Sequence, residues 1–281
     1  MFQKNMELEL FIDDMGVNGE GIGKSDGATF FVKDAVIGDQ VRVKIMKMKK
    51  RYGYARLLDV ISPSPYRTAP RCACFRQCGG CQIQSLEYAQ QLHYKEQKVR
   101  NNLERIGGFS IDWNEQDQNG ILFHPIIGME EPFRYRNKAS MPVWTGGIIT
   151  RKGGIVENLG EPAVGFYRAK SHEVVDCYDC LIQSAPAMAA AEALRQFMES
   201  DHITAYDPKW EKGLMRHLVV KTARGTGEVM VVLVINGKGI PNAAKLVEML
   251  DDAIYELPPA EDGVEYSLES DDAHVRAAAH D

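Results

Sequence analysis

The residues whose type and spacing could do chemistry are the six cysteines, and they fall in only two patches. The first is Cys72-Ala-Cys74-Phe-Arg-Gln-Cys78-Gly-Gly-Cys81-Gln82. The second, about a hundred residues later, is Cys177-Tyr-Asp-Cys180-Leu-Ile-Gln183. Thiols used as core filler scatter along a chain, whereas thiolates gathered around a metal segregate in this way. Gly79 and Gly80 give the backbone between Cys78 and Cys81 freedom to turn both sulfurs towards one centre. Spacing alone leaves three chemistries open. Cys72-x5-Cys78-x2-Cys81 with the distant Cys180 suits four thiolates on an iron–sulfur cluster. Cys78-x2-Cys81 with Cys177-x2-Cys180 suits a tetrahedral structural zinc site. Cys74-x3-Cys78-x2-Cys81 is the spacing of radical S-adenosylmethionine enzymes. That last reading is the weakest, because the regular strand–helix alternation of those enzymes is missing and the second cysteine pair has no role in it.

The elements that must position these thiols belong to a chain of 281 residues, 44% of them apolar, enough to bury a real core. No run approaches eighteen consecutive apolar residues, so no membrane span is expected. The first ten residues carry acids and lack the apolar stretch of a signal peptide. A cytoplasmic location is therefore expected, where thiols stay reduced and clustered cysteines mean metal sooner than disulfides. The formal net charge of −6 is uneven. Residues 251–281 carry ten acids against one Arg, which leaves the preceding 250 residues at +3. Within those, Arg42, Lys44, Lys47, Lys49, Lys50, Arg51 and Arg56 form a run with no acid among them. Such a run suits a phosphate backbone, or equally a solvated sheet edge guarded by lysines.

Residues 6–60 read as a small all-β module. Leu8, Leu10 and Ile12 alternate, as do Val41, Val43 and Ile45, and glycines punctuate the short runs, which a compact barrel would close. Those glycines do not fit a dinucleotide-binding loop. Ser62-Pro-Ser-Pro-Tyr66 ends the module, and Ser85 opens a helix through about Ile106 with Leu92, Val99, Leu103 and Ile106 on one face and Gly107-Gly108 as its stop. Residues 109–120 read as a loop. Strands are expected over Tyr135–Trp144, Gly147–Thr150 and Val164–Arg168, a helix from Ser184 to about Met198, a hairpin of Leu214–Thr222 with Glu228–Ile235, and a last helix over Asn242–Leu250. The expected class is α+β: a small N-terminal β-barrel over 1–62, a cysteine-rich loop with its helix over 63–110, a mixed β-rich central domain over 111–268, and an atypical tail over 269–281.

Cys78-Gly-Gly-Cys81-Gln82-Ile-Gln84, followed by Tyr88-Ala-Gln-Gln-Leu-His-Tyr-Lys95, resembles the RNA (uracil-5-)-methyltransferase family, in its iron–sulfur branch that acts on 23S ribosomal RNA. The resemblance continues in Phe133-Arg-Tyr-Arg-Asn-Lys138, Val164-Gly-Phe-Tyr-Arg168, Cys180-Leu-Ile-Gln183, Leu214-Met-Arg-His-Leu-Val-Val-Lys221 and Thr226-Gly-Glu-Val-Met-Val-Val232. Residues 6–60, including Gly16-Val-Asn-Gly-Glu-Gly-Ile-Gly23, are similar to the TRAM barrel, an OB-like module that opens many members. The resemblance implies that Cys72, Cys78, Cys81 and Cys180 hold a 4Fe–4S cluster that fastens distant segments together, with Cys74 and Cys177 outside the usual pattern. It also implies S-adenosyl-L-methionine as methyl donor. The cofactor-binding domain of the family, with its cysteine nucleophile and carboxylate base, has no counterpart in the residues to 281, so this chain alone is expected to be inactive and no catalytic residue is assigned.

What remains for this segment is RNA, ribosomal sooner than transfer, with no DNA and a monomer as the default. Candidate contacts are Arg134, Arg136 and Lys138, which alternate along one strand face, then Phe166, Arg168 and His172, then Arg216 and Lys221, and in the barrel Lys47, Lys50 and Arg51. Each has a plain structural alternative, since rings on strands often pack into a core and cations on strands are often merely solvated. The rival functional class is a stand-alone RNA-binding protein whose four-cysteine zinc or iron–sulfur site is purely structural.

Overall fold

The alternation read in residues 6–60 closes into a five-stranded barrel. A computed structural model of the chain describes residues 2–112, 120–151, 154–259 and 265–268, without side chains at 147–151 and 154–159. The expected tail over 269–281 therefore lies outside the described residues. Strands β1 (Glu7–Met15), β2 (Gly21–Ser25), β3 (Ala28–Lys33), β4 (Gln40–Met48) and β5 (Tyr52–Ser62) close in the order β1-β2-β3-β5-β4. Period-two alternation sends Leu10, Ile12, Phe30, Val32, Val41, Val43 and Ile45 inward. Asp26-Gly27, both at positive φ, supply the two-residue turn between β2 and β3.

The Ser62–Tyr66 stretch is pinned rather than loose. Buried Asp39 accepts hydrogen bonds from the Ser64 backbone N–H at 2.9 Å and from Arg67 Nη2 at 2.5 Å, and Arg67 also donates to the Asp34 carbonyl. Beyond it come α1 (Tyr88–Asn101), continued by one π-helical turn over Asn102–Ile106, and the two-residue strands β6 (Ile111–Asp112) and β7 (Ile121–Leu122), which pair in parallel. The expected apolar face of this helix is not formed. Neither α1 nor the turn buries any residue, and Val99 and Ile106 are 52% and 83% exposed. Val99 precedes the i→i+5 turn, so the stripe is open to solvent already within α1, and the turn re-phases only the last residues.

The chain divides into two units: residues 1–70 with 81–130, and residues 71–80 with 131–281. In the second, β8 (Lys138–Arg151), β9 (Gly154–Tyr167), β10 (Val174–Asp176), β11 (Met215–Thr222) and β12 (Val229–Ile235) form a sheet in the order β10-β9-β8-β11-β12. Helices α2 (Ala185–Ser200) and α3 (Ala243–Tyr255) share its core, where Met141, Leu194, Phe197, Leu218 and Leu246 are sealed from solvent. Two expected strands prove to be one: Lys138–Arg151 is continuous, while Tyr135–Asn137 lie outside it. The last helix runs on past Leu250 to Tyr255, because Ile254 adds a further turn to its buried stripe. The class is α+β, with a barrel first and a helix-backed sheet after it.

Candidate metal centre and nucleic-acid interface

Segment 71–80 lies in the same unit as the second cysteine patch, and local hydrogen bonding shapes both. Backbone bonds from Phe75 N–H to the Cys72 carbonyl and from Cys78 N–H to the Cys74 carbonyl, 3.2 and 2.9 Å, coil the first patch. Gly79 then runs against the end of β9, donating to the Tyr167 carbonyl at 3.0 Å. A Cβ there would stand 3.1 Å from the Ala169 backbone, so the glycine serves a close approach of two chain segments. The second patch leaves β10, with Cys177 N–H donating to the Val164 carbonyl and Gln183 N–H to the Cys180 carbonyl.

Cys74, Cys177 and Cys180 are buried at 5%, 1% and 8% exposure, and none of the six cysteines forms a disulfide. Cys180 is the acceptor of the group. A hydrogen bond from Cys177, helped by the backbone N–H groups of Ile182 and Gln183, brings its thiol down to about 7 against the opposing effect of burial. The Cys177 thiol is driven up by its hydrogen bonds to Cys180 and Cys74 and by burial. Cys72 is raised first by a hydrogen bond with Cys74, then by burial, with the charges of Cys74 and Cys180 adding to it. Cys72 and Cys74 therefore sit beside Cys177 and Cys180, and the two residues set aside as outside the ligand pattern are the most deeply buried of the six.

Two arginines hold the second patch in place. Arg195, buried on α2, donates to Asp176 Oδ1 at 3.0 Å from Nε and at 2.9 Å from Nη2, and also to the Cys177 and Val164 carbonyls. The Tyr178 ring lies 4.4 Å from its guanidinium. Burial pushes the Asp176 carboxyl up, and Arg195 together with the Val164 N–H draws it back. Arg134 donates to the Cys180 and Gln183 carbonyls at 2.9 and 3.3 Å and to Asp179 at 2.5 Å.

Among the described residues no three His, Cys, Asp or Glu side chains stand as a metal-ion site. The donor chemistry of the candidate cysteines suits zinc or iron and sulfide alike. All the candidates are soft thiols, and backbone N–H groups point at the sulfurs: Gly80 N–H lies 3.3 Å from Cys78 Sγ, and Ile182 and Gln183 serve Cys180. Cys72, Cys78 and Cys180 share one unit, and Cys81 begins the segment that belongs to the other.

The expected RNA contacts divide into presented and withdrawn. Lys138 and Lys221 are exposed and directly opposite each other in the antiparallel β8–β11 pair. Two like charges in register repel unless an anion lies between them. Lys47, Lys50 and Arg51 project around the β4–β5 turn. Arg136 and His172 are also exposed, the latter edge-on to Tyr167 at 5.8 Å. Arg168 is exposed but ion-paired to Glu173 at 2.9 Å. Arg216 is half-buried over the Tyr206 ring at 4.6 Å. Two expectations need correction. Arg134 is not part of a basic strand face: it lies outside β8 at φ +51° with its guanidinium committed to the Cys180 loop. Phe166 packs against the sheet core rather than offering a free ring, because its position in the alternation of β9 faces the helices.

Three rings escaped the sequence reading. Phe31, Tyr52 and Tyr54 cluster on the outside of the barrel with centroids 5.6–6.1 Å apart. The signal was present in the alternation of Tyr52 and Tyr54 with buried Gly53 and Ala55. Asp176 and Arg195 were missed because nothing in the local sequence announces a buried ion pair.

Comparison with known proteins agrees with this architecture. Residues 2–58 match the family model of the TRAM domain. A protein of Clostridium acetobutylicum named an RNA methyltransferase is 39% identical over 248 residues, which cover 88% of this chain and 50% of that protein. One of Halalkalibacterium halodurans, named likewise, is 36% identical over 251 residues, covering 89% and 50%. Among solved structures, the tRNA (uracil-54, C5)-methyltransferase of Pyrococcus abyssi in complex with S-adenosyl-L-homocysteine shares the fold with a TM-score of 0.57 at 23% identity, over 85% of this chain and 48% of that one. The chain spans about half the length of the curated relatives it matches.

Proposed function

We propose that this chain is the RNA-gripping portion of an S-adenosylmethionine-dependent RNA (uracil-5-)-methyltransferase acting on 23S ribosomal RNA in the cytoplasm, and that it works as a monomer. The observation that carries the reading is the continuous alignment of 248 residues, at 39% identity, with a protein named an RNA methyltransferase. The facing cations of the β8–β11 register are its support in the structure. In this reading residues 1–62 are the RNA-binding barrel, 63–110 carry the cluster loop and its helix, and 111–268 are the central part. In the barrel Lys47, Lys50 and Arg51 hold phosphates, and in the central part Lys138 and Lys221 do so, with Arg136, Arg168 and His172 as further contacts there. Arg216 is a secondary contact and Arg134 acts by fixing the cysteine loop. Methylating a uracil at C5 needs the base out of its stack, and holding the flanking strand keeps it there. No step of the methyl transfer is assigned to a residue of this chain.

Cys72, Cys78, Cys180 and Cys81 are the ligands proposed for a 4Fe–4S cluster. With every iron taken by a thiolate, the group supplies structure and not a site for substrate. It fixes the first patch against the Cys180 loop, two segments that close a long stretch of chain.

Anaerobically purified protein tests the metal reading by iron and labile-sulfide analysis and by absorption in the visible. About four irons per chain, lost in Cys180→Ser, are expected. A colourless protein holding zinc would overturn the iron–sulfur assignment. The function is tested by fluorescence anisotropy with ribosomal RNA fragments, where Lys138→Ala with Lys221→Ala should weaken binding severalfold. Unchanged binding would overturn the assignment of this face. With labelled S-adenosylmethionine the 281 residues alone should leave RNA unmethylated under conditions where a full-length relative labels uracil C5.

A further inference from the structure

The outside of the barrel carries a feature that the charged run alone does not explain. Tyr52 and Tyr54 are 40% and 45% exposed on the outer face of β5. They stand edge to face at 5.9 Å, with Phe31 6.1 Å from one ring and 5.6 Å from the other. Strand pairing places cations around them. Lys47 is the register partner of Tyr54 across β4–β5, and Arg56, one pleat further along β5, faces Lys33 on β3 and Lys44 on β4. Two acids border the cluster: Glu7, which pairs with Lys44 from β1, and Glu20, whose carboxylate, held by Asn18, shares the space beside Gly16 with the Phe31 ring. Rings held in place by a barrel wall and bordered by ammonium and guanidinium groups match a strand whose bases are unpaired and whose phosphates lie close by. A duplex would show this surface only its backbone, since its base faces are stacked away.

We infer that Phe31, Tyr52 and Tyr54 form a stacking platform for unpaired bases of single-stranded RNA, with Lys33, Lys47 and Arg56 taking the adjoining phosphates. The inference rests on the RNA-binding reading and deepens it. The barrel selects a single-stranded segment next to the modified site instead of attracting any polyanion. Tyr52 and Tyr54 are the principal stacking rings, and Phe31, half-buried beneath them, fixes their orientation.

The test uses the 281-residue chain with two fluorescein-labelled 12-mers of equal charge, oligouridine and an abasic strand. Wild type should bind oligouridine more tightly. Tyr52→Ala and Tyr54→Ala should each weaken that binding about tenfold, and the double variant should bind both strands alike. Binding of the abasic strand should not change. Tyr52→Phe with Tyr54→Phe keeps the π faces and should bind as wild type. Tyr52→Leu with Tyr54→Leu keeps the bulk, guarding against simple loss of fold, and should still lose the preference. Oligouridine binding unchanged in the alanine or leucine variants, or equal binding of both strands by wild type, would overturn the platform and leave RNA binding standing. A wild type that binds neither strand would overturn both. Binding of a polyproline 12-mer abolished in the same variants, with oligouridine unaffected, would assign the rings to a peptide and overturn the inference.

Discussion

Arg195 and Arg134 show how one residue type divides between scaffold and surface. The Arg195 guanidinium donates to two carboxylates, Asp176 and Glu192, and two backbone carbonyls at once, with its side chain 3% exposed. The planar fork reaches these acceptors together, which a lysine ammonium does not. Arg195→Met should cost about 3–5 kcal/mol in urea denaturation, because Asp176 would be left buried with its charge unanswered. Adding Asp176→Asn to that variant should recover part of the loss. Arg134→Ala should cost less, about 1 kcal/mol, since its ion pair with Asp179 is partly solvated. On the iron–sulfur proposal, the larger effect of Arg134→Ala should appear in iron content, because the loop carrying Cys180 loses two anchors.

At the scale of elements, the sheet's helical cover is fastened where α2 ends. Lys245 of α3 and Asn242, which caps it, reach Asp201 at 2.5 and 2.7 Å, and Ser200 donates to it as well. The Lys245 bond first, then those of Ser200 and Asn242, hold the Asp201 carboxyl down at about 2. An acid depressed in the fold stabilises it above the unfolded value of about 4, and that contribution fades as pH falls towards the folded value. The melting temperatures of wild type and Asp201→Asn should therefore differ at pH 5 and converge between about pH 4 and 2. Leu250→Ala, at a site 4% exposed on the same helix, should cost about 2–5 kcal/mol at any pH. The two helices over 185–200 and 243–255 were legible because their apolar positions recur at helical spacing and face a sheet. The helix after the first cysteine patch was legible in extent but not in burial. One π-helical turn re-phases its end, and no side-chain pattern marks such a turn in advance.

Over the whole molecule, charge contacts to RNA are read by their salt dependence. Replacing Lys47, Lys50 and Arg51 by alanine should reduce the slope of log affinity against log salt by about 2, given about 0.7 per phosphate on a single strand. That loss should be uniform across RNA sequences, as phosphate contacts carry no base information. A slope unchanged in the triple variant, measured by anisotropy at several salt concentrations, would remove these residues from the interface. The chain alone determined the barrel, through alternation and turn residues that act between neighbours, and it determined that thiols gather in two patches. It also exposed the cationic run, because charge and spacing are local properties. Only the tertiary structure decided that Cys74 and Cys177 lie beside Cys72 and Cys180, and that Arg134 and Arg195 serve the cysteine loop. Those outcomes depend on which distant segments share a core. That is settled by burial and by the pairing of polar groups about a hundred residues apart, such as Cys74 and Asp176, and no local spacing encodes it.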